Sequence, residues 1–279
     1  MTGVALALAA SLSWGLADFG GGIGARRVHL AWVLVVSQVA GLVLVGAMWL
    51  ATRPEPPTDV ELAWGAFGGV MGVIGLASFY RALAVGTMGI VGPIAATGAI
   101  VPVAYGVAHG EQPSFLQGVG IMVAIVGVVA ASLEPVPRGA GRKLSAGVGL
   151  ALLAALGFGS SVLGLNRVSQ AGVVWGSLTL RLTVVPIVCI AALLLRPSAD
   201  RVRVTLPLLV AVGLFDTGAN LLYGASARHG LISVVSVLGS LYPVVLVVLA
   251  RLFLKERISP PQLAGVAAAL AGVALISAG

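Results

Sequence analysis

Charge is what this chain lacks most. Of 279 residues only 9% are Asp, Glu, Lys or Arg while 59% are hydrophobic, and the mean hydropathy is +1.09. A soluble domain carries charge at roughly a quarter of its positions, so this sequence cannot cover a water-facing surface, and an integral membrane protein follows. Cysteine is almost absent: Cys189 stands alone, which excludes an intramolecular disulfide. With three isolated histidines beside it, no metal-ligand spacing arises, so neither a metal nor any other cofactor is expected. A phosphate-binding glycine loop ending in Lys-Ser or Lys-Thr is missing too, which argues against ATP coupling within this chain. The net charge of +7 comes from arginines placed singly among apolar runs. They form no basic stripe, so they point to orientation in a bilayer rather than to nucleic acid.

What the chain has in abundance is long apolar runs. A bilayer-spanning helix needs roughly 20 apolar residues, and ten candidates fit: 2–22, 30–51, 62–83, 89–109, 115–133, 145–166, 173–195, 206–227, 232–254 and 261–278. The first run starts at Met1 without a basic flank and contains Asp18, so it reads as a span and not a signal peptide. One face of this map collects Arg26, Arg27, Arg81, Arg138, Arg142, Lys143, Arg196, Arg201, Arg203, Arg251, Lys255 and Arg257; the other holds Arg53, Arg167 and Arg228. The positive-inside rule puts the first face in the cytoplasm and both termini outside a cell membrane. Gly65, Gly68, Gly69, Gly72 and Gly75 line the third span, where close helix packing is the expected use and a homodimer face the alternative.

The sequence also reads twice. Glu111, Ser114, Gln117, Gly120 and Gly127 recur at identical spacing as Glu256, Ser259, Gln262, Gly265 and Gly272. Upstream, Gly3-Val4, Leu6-Ala7-Leu8 and Trp14-Gly15 are echoed by Gly147-Val148, Leu150-Ala151-Leu152 and Phe158-Gly159. The expected organisation is a five-span repeat over 1–133, a connector over 134–144 and a second repeat over 145–279. Five is odd, so the second copy enters the bilayer from the opposite side. Such inverted repeats are typical of secondary transporters, with the substrate site where the halves meet. Within the shared motif, Ser259-Pro260 with Gln262 has the pattern of a helix N-cap and capping box, and Ser114 with Gln117 repeats it.

Two five-span repeats carrying Trp14-Gly15, Tyr242-Pro243 and Glu-x-x-Ser-x-x-Gln-x-x-Gly resemble the EamA-type branch of the drug/metabolite transporter superfamily. The resemblance covers essentially the whole chain. In the second half Pro243 precedes Glu256 by thirteen residues, as that family pattern expects, whereas Pro102 lies nine before Glu111 with Gly98 in the matching place. The resemblance implies a basket of ten helices around a central cavity lined by spans one, three, four, six, eight and nine. It also implies export of a small metabolite, amino acid, or amphiphilic or cationic compound, with a proton gradient as the coupling source. Facilitated exchange or import is the alternative. From a different class, a membrane-embedded enzyme acting on lipid-linked substrates would need a clustered nucleophile or metal motif, and none is visible.

Function is expected where polar side chains are costly. Even the lower estimates put a charge at mid-bilayer at about 2.5–3.5 kcal/mol. Asp18, Arg181 and Asp216 fall within spans. Arg181 and Asp216 lie at similar depth in spans seven and eight, so an ion pair between them is allowed, either as a fixed helix tie or as part of a cavity site. Asp18 reads either as an interfacial residue held by Arg26 or Arg27, or as a cavity carboxylate that takes a proton or an ammonium group. Trp14, Tyr80, Asn220, Tyr223 and Tyr242 supply aromatic faces and hydrogen bonds suited to such solutes. Gln38 and Ser37, at the repeat position of Arg181, are expected to hydrogen-bond between helices. Pro93, Pro102 and Pro243 are hinge candidates, because proline frees a helical carbonyl.

Overall fold

The computed structural model describes residues 2–25, 27–85, 94–95, 97–131, 144–253 and 260–279. All regular structure among them is helical. The order is α1 Thr2–Ala25, α2 Leu30–Thr52, α3 Asp59–Val85, a 3₁₀ turn Thr97–Ala99 leading into α4 Ile100–Ala108, and α5 Phe115–Ala131. Then come α6 Leu144–Ser169, α7 Val173–Leu195, α8 Val202–Ala227, α9 Ile232–Gly239, α10 Tyr242–Phe253 and α11 Pro260–Ala278. Six of the described helices are long and apolar enough to cross a bilayer: α1, α2, α3, α6, α7 and α8. Large apolar side chains such as Val43, Phe115, Leu193 and Leu194 stand exposed on the outside, as lipid contact requires and water would penalise.

Local chemistry sets the helix ends. Thr58 and Glu61 form a capping box at the start of α3, with the Thr58 N–H donating to Glu61 Oε2 at 2.8 Å. Ser114 and Gln117 do the same for α5: the Ser114 N–H donates to Gln117 Oε1 at 3.0 Å and the Gln117 N–H to Ser114 Oγ at 3.2 Å. The matching Glu256 and Ser259 lie outside the described residues. α2 and α7 each end on an arginine in the left-handed region, Arg53 and Arg196, both at φ 44°, followed in each case by proline.

The helices pack through small residues. α3 lies along α6, α5 along α11 and α1 along α8. Gly68 and Gly164 face each other so closely that a methyl on Gly68 would stand 3.2 Å from the Gly164 Cα, while Gly75 meets Gly157 and Phe158. The pairing 68 with 164 and 75 with 157 makes α3 and α6 antiparallel. Gly65 and Gly69 face the other way, onto Thr179 and Thr183 of α7. The glycines read from the sequence as a packing face are thus shared between two neighbours in the same chain. α5 and α11 cross antiparallel at Gly120 and Gly272 in the same manner.

A reciprocal contact ties the two halves. Trp175 of α7 donates its indole N–H to the Pro54 carbonyl just beyond α2, at 3.3 Å. Trp32 of α2 donates to the Ser198 carbonyl just beyond α7, at 3.0 Å. Each tryptophan lies 21 residues before the Arg-Pro pair of its own half (Trp32 to Arg53, Trp175 to Arg196), and each seals the other half's helix end. Such mutual exchange of equivalent contacts is the geometry of a two-fold relation.

One expected span is not a single helix. The run read as 232–254 divides into α9 and α10, with Ser240 and Leu241 in a turn between them. Gly239 and Ser240 are weak helix formers, and Pro243 has no N–H to bond the Gly239 carbonyl. The expected span 89–109 is described only from Ile94 onward, with Ala96 also outside, and Pro93 lies outside the described residues.

Candidate functional site

The site forms where α1, α7, α8 and the α9–α10 break meet. α1 and α8 run antiparallel: Ser13 Oγ donates to the Phe215 carbonyl at 2.7 Å, and Gly20 faces Val212 and Gly24 Leu209. Side chains lean toward the N-terminus of their own helix, so Asp18 on α1 and Asp216 on α8 lean toward each other. Their charges are within electrostatic reach of one another, and Tyr242 is within reach of Asp18.

The two aspartates differ in their partners. Asp216 Oδ2 accepts from the Arg181 guanidinium at 2.5 Å, forming an ion pair whose arginine side chain is 4% exposed and whose aspartate side chain is 27% exposed. Arg181 also donates to Gln38 Oε1 of α2, so a single guanidinium joins α2, α7 and α8. Gly41 makes the room, since a side chain there would collide with Arg181 and Thr217. Asp18 has neither an ion pair nor a hydrogen bond among the described residues. Asp18 is exposed. Gly22 and Ala25, further along the same face of α1, are exposed as well. That stripe runs from Asp18 toward the end of the molecule bearing Arg27, Arg201 and Arg203.

Aromatic groups cover the other side. Trp14 lies one turn before Asp18 on the same stripe of α1, its ring 5.6 Å from that of Tyr223 and tilted by 38°. Tyr223 is fully buried. Its hydroxyl pairs with Ser236 Oγ of α9 at 2.6 Å. Asn220, also buried, falls between Asp216 and Tyr223 along α8. Tyr242 is the first residue of α10 and partly buried.

The remaining candidates fall as follows. Tyr80 belongs to α3, with its side chain outside the described set. Pro102 is the third residue of α4, within the first turn, where no helical N–H is needed. Pro243 sits at the α9–α10 break. Arg27, one expected holder of Asp18, lines surface hollows with His29, Ser198 and Asp200 and with Arg201 and Thr205 instead; Arg26 lies outside the described residues.

One polar contact near the site was marked in the sequence only by the recurrence of Glu111 as Glu256, which does not reveal its partners. Glu111, in the turn after α4, accepts from the backbone N–H of Ile232, and from that of Ser233 at 3.0 Å. These are the first two donors of α9, which no side chain of its own segment caps. A carboxylate at this end also meets the positive pole of the helix. Gly106 leaves space for the carboxylate, and Gly110, at φ 91°, provides the turn that brings it back. Through α9, Glu111 fixes Ser236 and hence the Tyr223 hydroxyl.

The comparisons with known proteins agree with this architecture. Among curated proteins none matches the chain. A crystal structure of a protein carrying no fuller description superposes with a TM-score of 0.80, covering 99% of this chain and 97% of that one at 17% identity; at such identity the likeness is one of fold. The EamA-like transporter family matches residues 1–133 and again residues 145–278. The chain, multi-pass, all-helical and matched over nearly its whole length, belongs to the EamA-like transporter family of the drug/metabolite transporter superfamily, whose members are membrane transporters and not enzymes.

Proposed function

We propose that this protein is a proton-coupled secondary transporter that exports a small metabolite, amino acid, or amphiphilic or cationic compound by alternating access. The reading includes ten spans, arranged as inverted five-helix repeats over 1–133 and 145–279 joined by 134–144. Three features support the inversion: the antiparallel crossing of α3 with α6, that of α5 with α11, and the reciprocal Trp32 and Trp175 contacts. The Arg27, Arg196, Arg201 and Arg203 end faces the cytoplasm in this reading, with both termini outside a cell membrane.

The observation that carries the proposal is Asp18: an accessible carboxylate without an ionic partner among the described residues, within a membrane helix and toward its C-terminal end, near a second carboxylate that arginine already neutralises. A charge so placed is retained at a cost. That cost is understandable if the group exchanges a proton for substrate, since competition for one site links the two movements. The groups facing Asp18 are Asp216 on α8, with Arg181 behind it, and Tyr242 on α10. As pH falls, protonation of Asp18 releases a bound cation; as pH rises, ionised Asp18 binds one.

The test is reconstitution in liposomes with pooled amino acids and cationic amphiphiles, with and without an imposed pH gradient. Gradient-linked flux that Asp18→Asn abolishes is the expected result. Flux indifferent to the gradient in the wild-type protein would instead support facilitated exchange or import.

A further inference from the structure

We propose that the molecule binds one anionic phospholipid where α1 ends and α8 begins, with the lipid phosphate between Arg27 and Arg201 and an acyl chain along α8. The site does not depend on the transporter reading; only the leaflet, the inner one, follows from the orientation given above.

Three guanidinium groups gather at this end. Arg27 follows α1, Arg201 immediately precedes α8 and Arg203 lies in its first turn, and all three are exposed. The antiparallel packing of α1 on α8, with Gly24 against Leu209, brings the two helix ends together. None of the three arginines has an ion pair or a side-chain hydrogen bond among the described residues, whereas Arg181 is held by both Asp216 and Gln38. Like charges collected without acidic partners repel, and a bound anion relieves that repulsion.

A hollow of about 370 Å³ lies between them, lined by Arg27, Arg201, Val204 and Thr205, with no acidic residue in its wall. Asp200 lines a neighbouring hollow beside Arg27, which makes that one the poorer place for an anion. Thr205 is buried, and its hydroxyl donates to the Arg201 carbonyl. The side-chain donors left in the hollow are therefore the two guanidinium groups. Each is a planar fork that matches the paired oxygens of a phosphate.

The apolar wall selects a lipid over a free phosphate. Val204 stands 84% exposed beside the arginines, where a small soluble anion would leave it in water. Pro207 and Leu214 continue the same face of α8, and both are exposed. Leu214 lies about 15 Å along the helix from Val204, so the track runs beside much of an acyl chain. Basic pockets between membrane helices on the cytoplasmic side are where anionic headgroups bind. A zwitterionic lipid brings its own cation and leaves the arginine charge unbalanced.

The experiment titrates delipidated full-length protein in maltoside detergent with dioleoylphosphatidylglycerol, dioleoylphosphatidylcholine or inorganic phosphate. Native mass spectrometry counts bound lipid, and circular dichroism follows the melting midpoint. One phosphatidylglycerol should be retained at least about fivefold more tightly than phosphatidylcholine, and it should raise the midpoint because it binds the folded state. Arg27→Gln and Arg201→Gln should each weaken binding about fivefold and the double variant about twenty-five-fold, while Arg228→Gln at the opposite end of α8 should leave it unchanged. Equal retention of the two lipids overturns the proposal, as does a folded double variant that binds like the wild type. If Arg228→Gln weakens binding as much as the double variant does, the attraction is diffuse and the site is refuted. Stabilisation by inorganic phosphate equal to that by phosphatidylglycerol would make this a free-anion site and overturn the lipid assignment. The three ligands are compared first on the wild-type protein, so the proposal stands or falls even if the double variant does not fold.

Discussion

Asp18 and Asp216 lean toward each other from antiparallel helices, yet only one is tied down. Asp216 is held by Arg181, which is in turn held by Gln38 and housed by the absent side chain of Gly41. Asp18 keeps accessible surface and has no ionic partner among the described residues. The lesson is that cost alone does not mark a functional charge within a bilayer. A buried pair lowers that cost by satisfying itself and becomes architecture, while an unpaired neighbour stays free to bind something that comes and goes.

The contrast can be broken at several points. Arg181→Ala should have the largest effect on stability. It strands Asp216 without its counter-charge, at about 3 kcal/mol, the lower end of the range for a broken buried pair because Asp216 is partly exposed. The melting midpoint in detergent should fall, and adding Asp216→Asn should restore much of the loss. Glu111→Gln comes next, at about 1–2 kcal/mol, because two N–H donors of α9 lose a charged acceptor; thermal unfolding measures it, and the Tyr223 environment should change in near-ultraviolet circular dichroism. Ser114→Ala removes half of the capping box on α5 and should cost about 1 kcal/mol by the same thermal assay. Asp18→Asn should move the midpoint least, or raise it, since no partner is lost. A drop as large as that of Arg181→Ala would mean that Asp18 too is structural.

Much of this was legible in the residues. The helix limits follow from apolar run length, so α2, α7 and α11 begin and end within a residue or so of the sequence reading. The Ser114–Gln117 box and the Arg181–Asp216 pair were likewise recoverable, the first from local spacing and the second from depth in the bilayer. Other features depend on contacts that spacing does not encode. The Glu111 cap on α9 joins residues 121 positions apart, and a sequence shows only that Glu111 recurs, not which donors it meets. The α9–α10 break hid inside a continuous apolar run, where hydropathy overwhelms the quieter signals of Gly239-Ser240 and Tyr242-Pro243. The tryptophan exchange did leave a trace, the equal spacing of Trp32 and Trp175 before Arg53-Pro54 and Arg196-Pro197.

The most direct test sets the two carboxylates against each other in liposomes under an imposed pH gradient. Asp18→Asn is compared with the double variant Arg181→Gln/Asp216→Asn, which removes the pair while leaving no stranded charge. The account predicts gradient-driven flux in the folded double variant and none in Asp18→Asn. Flux that survives in Asp18→Asn and disappears in the double variant would contradict it, and would make Asp216 the exchanging group.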